Sequence, residues 1–131
     1  MAKKTVLLID ECQVVMDLTK RMLERAGYSI QVAGSRIEAW EFLQKSTPDC
    51  IVLDNRLPDS DGLDYCRELR RKCSTPILFV SCYRDDEVPA LHAGASDFLK
   101  SPCNYDVLKA RLSVMLSGRY QKVNDESASP D

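Results

Sequence analysis

The sequence predicts an α/β fold in which helices cover both faces of a five-stranded parallel sheet. Five short apolar segments alternate along the chain with five segments whose apolar residues recur at helical spacing. Strands that are apolar along their whole length are typical of a sheet buried on both faces, and a helix after each strand is typical of parallel connections. The chain has 131 residues, which is enough for one such domain.

The predicted strands are short runs bounded by turn residues. The first run is almost entirely β-branched and aliphatic, which is the composition expected of a strand buried on both faces. Gly, Pro, Ser and Asp residues punctuate the chain between the runs. The predicted strands are Thr5–Ile9, Ser29–Ala33, Cys50–Leu53, Ile77–Val80 and Asp97–Lys100.

The predicted helices carry apolar residues three or four positions apart. Gly27 ends the first helix, and Asn104 is a suitable cap for the fifth, which we expect to end near Gly118. Because Pro89 falls inside the fourth, we expect that helix to be short or irregular. The helical segments are about Gln13–Ala26 with Val15, Leu18, Met22 and Ala26 in phase, about Arg36–Lys45 with Ile37, Trp40 and Leu43 on one side, a third with Leu63, Cys66, Leu69 and Cys73, about Asp86–His92, and a fifth with Leu108, Leu112 and Met115 on one face.

Composition and charge argue against several classes of protein. The 20 acidic and 18 basic residues give a net charge of −2, whereas a sequence-independent nucleic-acid binder needs a basic surface. No apolar run approaches the roughly 20 residues of a membrane span, and the first residues do not resemble a signal peptide. We therefore expect a cytoplasmic chain without membrane contact or direct nucleic-acid binding. The six cysteines lack metal-ligand spacing, so we expect free thiols in a reducing compartment.

Polar residues follow four of the predicted strands at the edge where parallel strands end. Asp10 and Glu11 follow the first strand, Asp54 the third and Ser81 the fourth, and Lys100–Ser101 close the fifth. Ligands of open α/β sheets bind at this edge. Each acid alone is explained equally well as a solvated turn residue or a helix cap. The whole set on one edge favours a functional site.

The chemistry of this set favours phosphoryl transfer with a divalent cation. Clustered carboxylates repel one another and need a compensating positive charge. Mg²⁺ binds one or two carboxylates together with waters and phosphate oxygens. Beside such an ion, Asp54 can act as a nucleophile toward a phosphoryl group, while a nearby hydroxyl and ammonium contact the phosphoryl oxygens.

In these segments the chain resembles the receiver domain of bacterial two-component response regulators. The resemblance covers about Lys4 to Leu116 and implies a flavodoxin-like three-layer α/β/α sandwich with strand order 2-1-3-4-5. It implies a receiver domain over residues 1–118 and a polar tail or linker over 119–131. The matching segments are Leu7–Glu11, Pro48–Asp54, Arg56–Leu63, Pro76–Ser81 and Ala93–Leu99, followed by Pro102.

The resemblance implies a role for each residue of the acidic edge. Asp54 would be the phosphate-accepting aspartate. Asp10 and Glu11 would hold Mg²⁺ together with Asp54, with Glu11 the more direct ligand of the acidic pair. The backbone carbonyl of Arg56 would complete the protein ligands of the metal.

The resemblance also implies a switch and its partners. The Ser81 hydroxyl would contact the phosphoryl group, and the Phe98 ring would swing inward. This change would reshape the face built from the fourth helix, fifth strand and fifth helix. The implied partner is a sensor histidine kinase or a phosphotransfer protein, and the same face is a possible homodimer contact. Such a domain is a phosphoacceptor switch with at most weak self-phosphorylation and dephosphorylation activity, and not an enzyme.

One position departs from the family pattern. Receivers carry a lysine directly before the proline of the last loop, and here Ser101 precedes Pro102 while Lys100 lies one residue earlier. A local bulge would turn Lys100 into the site. Alternatively, the site lacks its lysine, because a one-residue shift in a strand points a side chain to the other face. We favour the second interpretation.

Other functions are retained as alternatives. The departure at Ser101 favours a receiver-like interaction module that is never phosphorylated. A flavodoxin-type enzyme is less consistent, because Asp10–Gln13 is acidic where a phosphate-binding loop is needed. A redox role for Cys82 or Cys103 is a minor alternative. The segments around Asp54 and Leu108–Leu112 are similar to receivers attached to winged-helix DNA-binding domains.

Overall fold

A computed structural model describes residues 3–117, whose five main strands form one parallel sheet in the order β2-β1-β3-β4-β5. This confirms the predicted fold class, the strand positions and the strand order. Two strands extend one residue further than predicted, so that Asp54 and Ser81 are the last residues of their strands. The strands are β1 (Thr5–Ile9), β2 (Ser29–Ala33), β3 (Cys50–Asp54), β4 (Ile77–Ser81) and β5 (Asp97–Lys100).

Five α-helices follow the five strands. The fourth is short, as Pro89 predicts, and a 3₁₀ turn at Arg84–Asp86 precedes it. A two-stranded hairpin of Arg56–Leu57 and Ser60–Asp61 lies between β3 and the third helix. The expected helix end at Gly118 and the expected tail over 119–131 lie outside the described residues. The helices are α1 (Gln13–Arg25), α2 (Arg36–Lys45), α3 (Gly62–Lys72), α4 (Glu87–His92) and α5 (Tyr105–Met115).

The sheet separates two hydrophobic clusters, one on each face. Side chains alternate along β1, so Leu7 and Ile9 join one cluster while Val6 and Leu8 join the other. These four residues are at most 3% exposed, which explains why the strand sequence is apolar throughout. Full burial of each such side chain contributes about 1.5–3 kcal/mol, so the central strands hold the carboxyl edge of the sheet in a fixed position.

The buried faces of α1 and α2 differ from the apolar spacing noted in the sequence. In α1 the buried residues are Met16 and Leu23, whereas Leu18 is 60% exposed. In α2 the buried residue is Ala39, whereas Trp40 is 45% exposed and lies under the Lys72 ammonium, 4.2 Å from its ring centroid. Apolar residues occupy more than one stripe of each helix, so spacing alone does not decide which stripe contacts the sheet.

Arg70 binds two backbone segments at the amino edge of the sheet, opposite the predicted site. Its guanidinium donates hydrogen bonds to the carbonyls of Gly94 and Thr75, at 2.8 and 2.9 Å. Gly94 has a φ of 111°, and a Cβ there would lie 2.5 Å from the Arg70 Cγ. A glycine is therefore required by both the backbone conformation and the close contact. These bonds fix the chain before β4 and before β5.

The six cysteines are free thiols. Cys50 and Cys66 are fully buried in the two clusters. Burial raises the pKa of the Cys50 thiol to about 12 and that of Cys66 to about 11. Burial also raises the pKa of the Cys103 thiol. A raised pKa disfavours the reactive thiolate in all three residues. Packing explains the buried Cys50 and Cys66, whereas Cys103 is exposed.

Candidate functional site

Two carboxylates lie side by side at the carboxyl edge of the sheet. β1 and β3 are neighbours with Ile9 opposite Leu53, so Asp10 and Asp54 follow in adjacent positions. Both are half-buried. The Asp10 Oδ1 accepts a hydrogen bond from the Cys12 N–H at 3.0 Å, and the Asp54 Oδ2 accepts one from the Arg56 N–H at 3.0 Å. The backbone after each strand therefore holds its carboxylate in place.

The loop that carries Arg56 is fixed by a close backbone approach. The Gly62 N–H donates to the Asn55 carbonyl at 3.1 Å, and a Cβ on Gly62 would lie 2.7 Å from the Asn55 Cα. The Asn55 N–H in turn donates to the Val80 carbonyl of β4. The glycine that begins α3 thus allows the loop to fold back against the residue that follows Asp54.

The electrostatic environment of these carboxylates disfavours their charged forms. The pKa of Asp54 is raised to about 6, mainly by burial; the Arg56 N–H and the Arg56 charge lower it, and the negative charges of Asp10 and Glu11 raise it. Burial also raises the pKa of Asp10, with the charge of Glu11 acting in the same direction. Within residues 3–117 no salt bridge joins these acids to a lysine or arginine. The edge therefore carries unpaired negative charge at neutral pH.

Asp10 and Asp54 offer carboxylate oxygens but do not by themselves form a complete metal site. Across the described part of the chain, no three acidic, histidine or cysteine side chains converge into a ready metal cage. Glu11 is exposed, and Asp10 and Asp54 alone are the half-buried pair. A cation that keeps several waters and needs only one or two carboxylates suits such a set, and Mg²⁺ has these properties.

Ser81 lies at the end of the neighbouring strand but is engaged elsewhere. β4 pairs with β3 so that Val80 is opposite Asp54, and Ser81 is fully buried at the next position. Its hydroxyl donates to the Asp86 Oδ2 at 2.7 Å and accepts from the Tyr83 N–H at 3.0 Å. The hydroxyl is thus held by the turn before α4. Sequence reasoning missed Asp86, and the only signal was an acid within reach of Ser81 in a loop rich in charge.

Ser101 lines the same cleft as the two carboxylates. The pairing of β4 with β5 continues in register from Leu78 opposite Asp97 to Ser81 opposite Lys100. No bulge therefore turns Lys100 towards Asp54, and the Lys100 side chain is exposed. Ser101 follows the strand, and together with Asp10 and Asp54 it lines a cleft at this edge. The geometry supports the interpretation that the site lacks a lysine.

The same arrangement of strands and loops occurs in a large group of known proteins. The family described as the response regulator receiver domain matches this chain over residues 6–113. The chain belongs to this family. Response regulator MprA of Mycobacterium ulcerans is 34% identical to this receiver over 127 residues, which are 95% of this chain and 54% of that protein. The receiver therefore spans about half the length of the curated relatives it matches.

Solved structures support the assignment of the fold. A two-component response regulator from Clostridium difficile superimposes on this receiver with a TM-score of 0.84 at 28% identity, covering 88% of this chain and 97% of that one. A CheY-like receiver domain protein from Methanospirillum hungatei gives a TM-score of 0.85 at 22% identity, covering 92% and 99%. The latter likeness concerns the fold alone.

Phe98 of this receiver already lies inside the protein. It is 5% exposed and stacks nearly parallel on Phe79, with ring centroids 6.3 Å apart. The two residues are directly opposite each other in β4 and β5. Because the Phe98 ring is already buried, the structure shows no exposed orientation from which it would swing inward.

None of the helices within residues 3–117 is long and apolar enough to cross a membrane.

Proposed function

We propose that this receiver accepts a phosphoryl group on Asp54 from a histidine kinase or a phosphotransfer protein. An oxygen of the Asp54 carboxylate attacks phosphorus, the bond from phosphorus to the donor nitrogen breaks, and the imidazole keeps the electron pair. The observation that carries the proposal is the half-buried Asp54 carboxylate, which one backbone N–H orients and no described cation pairs with. The membership of this chain in the receiver family supports this chemistry.

Mg²⁺ is the cofactor that suits this reaction. Asp10, Glu11, Asp54 and the backbone carbonyl of Arg56 would hold it, because the three carboxylates form no salt bridge with a described lysine or arginine. When bound, the ion offsets the charge of the carboxylates and of the incoming phosphoryl oxygens. The protein's own part is to orient the Asp54 oxygen through the Arg56 N–H and to keep a second carboxylate beside it.

The switch would act through Ser81 and α4. For its hydroxyl to reach a phosphoryl group on Asp54, Ser81 must release Asp86, which ends the turn before α4. The face of α4, β5 and α5 carries exposed apolar residues and an ion pair in which Arg111 Nη1 donates to both carboxylate oxygens of Asp97. We propose this face for the response and for a homodimer contact. Its exposed apolar residues are Val88, Leu91, Val107 and Val114.

Phosphorylation by a small donor tests the proposal. Incubation with Mg²⁺ and acetyl phosphate should add one phosphoryl group, measured by intact-protein mass. Asp54→Asn should add none, while Asp64→Asn on the exposed surface of α3 should be modified like the parent. Absence of an adduct in the parent, or an adduct that persists in Asp54→Asn, contradicts the proposal. Rapid turnover is not expected, because the proposed role is that of a phosphoacceptor switch.

A second function is favoured by Ser101. Ser101 lines the cleft that contains Asp10 and Asp54, and no lysine within residues 3–117 lines it. A receiver-like module that binds its partner without phosphorylation explains this position equally directly. It predicts that Asp54→Asn leaves partner binding unchanged. For either function we propose a cytoplasmic location, which the free thiols support because a reducing compartment preserves them.

A further inference from the structure

A cleft of about 330 Å³ separates α1 from the chain that joins β5 to α5. Its floor is the face of the sheet that carries the second hydrophobic cluster, and four successive strands of the sheet order β1-β3-β4-β5 contribute one aliphatic residue each. The interior of a domain is normally packed without such spaces. The four floor residues are Leu8, Val52, Val80 and Leu99.

The walls of the cleft are apolar and are tied to one another. Val15 and Leu18 of α1 line it and are 50% and 60% exposed, so they form an open rim. Tyr105 of α5 donates its hydroxyl hydrogen to the Met22 carbonyl of α1 at 2.7 Å. This bond links the two walls and keeps them a fixed distance apart. Val15 and Leu18 therefore present apolar surface to the cleft that no part of residues 3–117 covers.

The cleft is polar at the carboxyl edge of the sheet. Asp10, Asp54 and Ser101 line it there. Each carboxylate accepts one backbone hydrogen bond, and within the described chain neither forms a salt bridge. An anion would be repelled at this end, and a wholly apolar ligand would leave the carboxylates without a partner while displacing their water. The complementary ligand has one positive end and an aliphatic body.

We propose that this cleft binds a primary alkylammonium ion. The aliphatic chain lies on Leu8, Val52, Val80 and Leu99, and the ammonium donates hydrogen bonds at the edge formed by Asp10, Asp54 and Ser101. An ammonium has three donors, which match two carboxylates and one hydroxyl. A small residue at position 101 leaves this space open. The binding needs no phosphorylation, so its failure and the failure of phosphoryl transfer to Asp54 are separate results.

A titration with n-butylammonium chloride, followed by amide NMR spectra in the presence of a chelator, tests the proposal. Saturable shifts are expected at residues of the cleft, with dissociation in the millimolar range that is ordinary for so small a ligand. The neutral isostere n-butanol should bind at least about fivefold more weakly, a factor that corresponds to about 1 kcal/mol. Equal binding of n-butanol overturns the proposal, as do shifts confined to Asp10, Glu11 and Asp54.

Variants separate the cleft from its surroundings. Ser101→Lys places a covalent aminobutyl chain in the same space and should weaken n-butylammonium at least about tenfold. Ser46→Lys, at the exposed C-terminal end of α2, carries the same added charge and should leave binding unchanged. Asp54→Asn should weaken n-butylammonium but leave n-butanol unaffected, which keeps the test decisive if Ser101→Lys does not fold. Undiminished n-butylammonium binding in Asp54→Asn overturns the proposal.

Discussion

Asp54 and Asp59 belong to the same stretch of chain between β3 and α3, yet their surroundings shift their pKa values in opposite directions. The Asp59 carboxylate accepts hydrogen bonds from the N–H groups of Arg36 and Ile37 at the start of α2, at 2.9 and 3.2 Å, and these bonds lower its pKa. Burial raises the pKa of Asp54 to about 6. One carboxylate completes a helix terminus, and the other forms no salt bridge within residues 3–117.

The same contrast holds between the α2–α3 side of the domain and the carboxyl edge of the sheet. On the α2–α3 side, Glu68 pairs with Arg36 and Lys72, and these contacts lower its pKa. On the carboxyl edge, Asp10 and Asp54 share one region without a paired cation among the described residues. Charges that the fold uses for its own stability are matched within the fold. Unmatched charges are typical of ligand-binding sites.

The largest effect on stability is expected at Asp86, whose carboxylate accepts a hydrogen bond from the buried Ser81 hydroxyl. Asp86→Ala removes the acceptor of the Ser81 hydroxyl, and Ser81 is fully buried. We expect a loss of about 2 kcal/mol, since hydrogen bonds to charged groups contribute about 1.5–3 kcal/mol. Chemical denaturation measures it. Asp85→Ala, on the exposed side of the same turn, is the control and should change stability little. Equal stability of the two variants would show that Asp86 does not hold Ser81.

A smaller effect of the opposite sign is expected at Asp54. Its pKa rises from the ordinary 3.8 to about 6 in the fold, so the folded state binds more protons between these values and stability falls as pH rises through this window. The full shift corresponds to about 3 kcal/mol, which partial exposure and screening reduce to about 1–2 kcal/mol. Asp54→Asn should therefore stabilise the domain at pH 7.

Denaturation at several pH values checks this expectation. The advantage of Asp54→Asn should shrink as pH falls below about 6 and disappear below about 4, where the parent carboxyl is also neutral. Asp59→Asn is the control of opposite sign: because the pKa of Asp59 is lowered in the fold, its substitution should not stabilise the domain at neutral pH. A destabilised Asp54→Asn at neutral pH would mean that the Asp54 charge is matched after all.

The smallest effect is expected at Asp59. Asp59→Ala removes the acceptor for two N–H groups at the start of α2 and should cost about 1 kcal/mol, the usual contribution of a helix cap. Ser35 also caps this helix by accepting from the Glu38 N–H, which limits the loss. Asp59→Asn retains an acceptor and should cost less than half as much. If both substitutions have equal effects, charge and not hydrogen bonding explains the role of Asp59.

Much of this organisation could be predicted from the sequence, because continuous apolar strands and intervening helices restrict the topology strongly. The strand ends also placed Asp10 and Asp54 on one edge, and the paired register of β1 and β3 agrees. The buried stripe of α1 was not predictable, since Met16 and Leu18 are equally apolar and only docking on the sheet distinguishes them. Contacts such as Ser81–Asp86 depend on side-chain geometry within a loop, which residue spacing does not encode.

Arg70 joins the amino ends of two neighbouring strands. Because its guanidinium donates hydrogen bonds to the segments that lead into β4 and β5, these two strands are held together at their amino ends. Ser81 and Ser101 lie at or just after the opposite, carboxyl ends of these strands, and α4 lies between the two strands in the chain. A rearrangement at Ser81 would then be expected to move the carboxyl ends of β4 and β5 and α4, while the contact of Arg70 with Gly94 holds the amino ends.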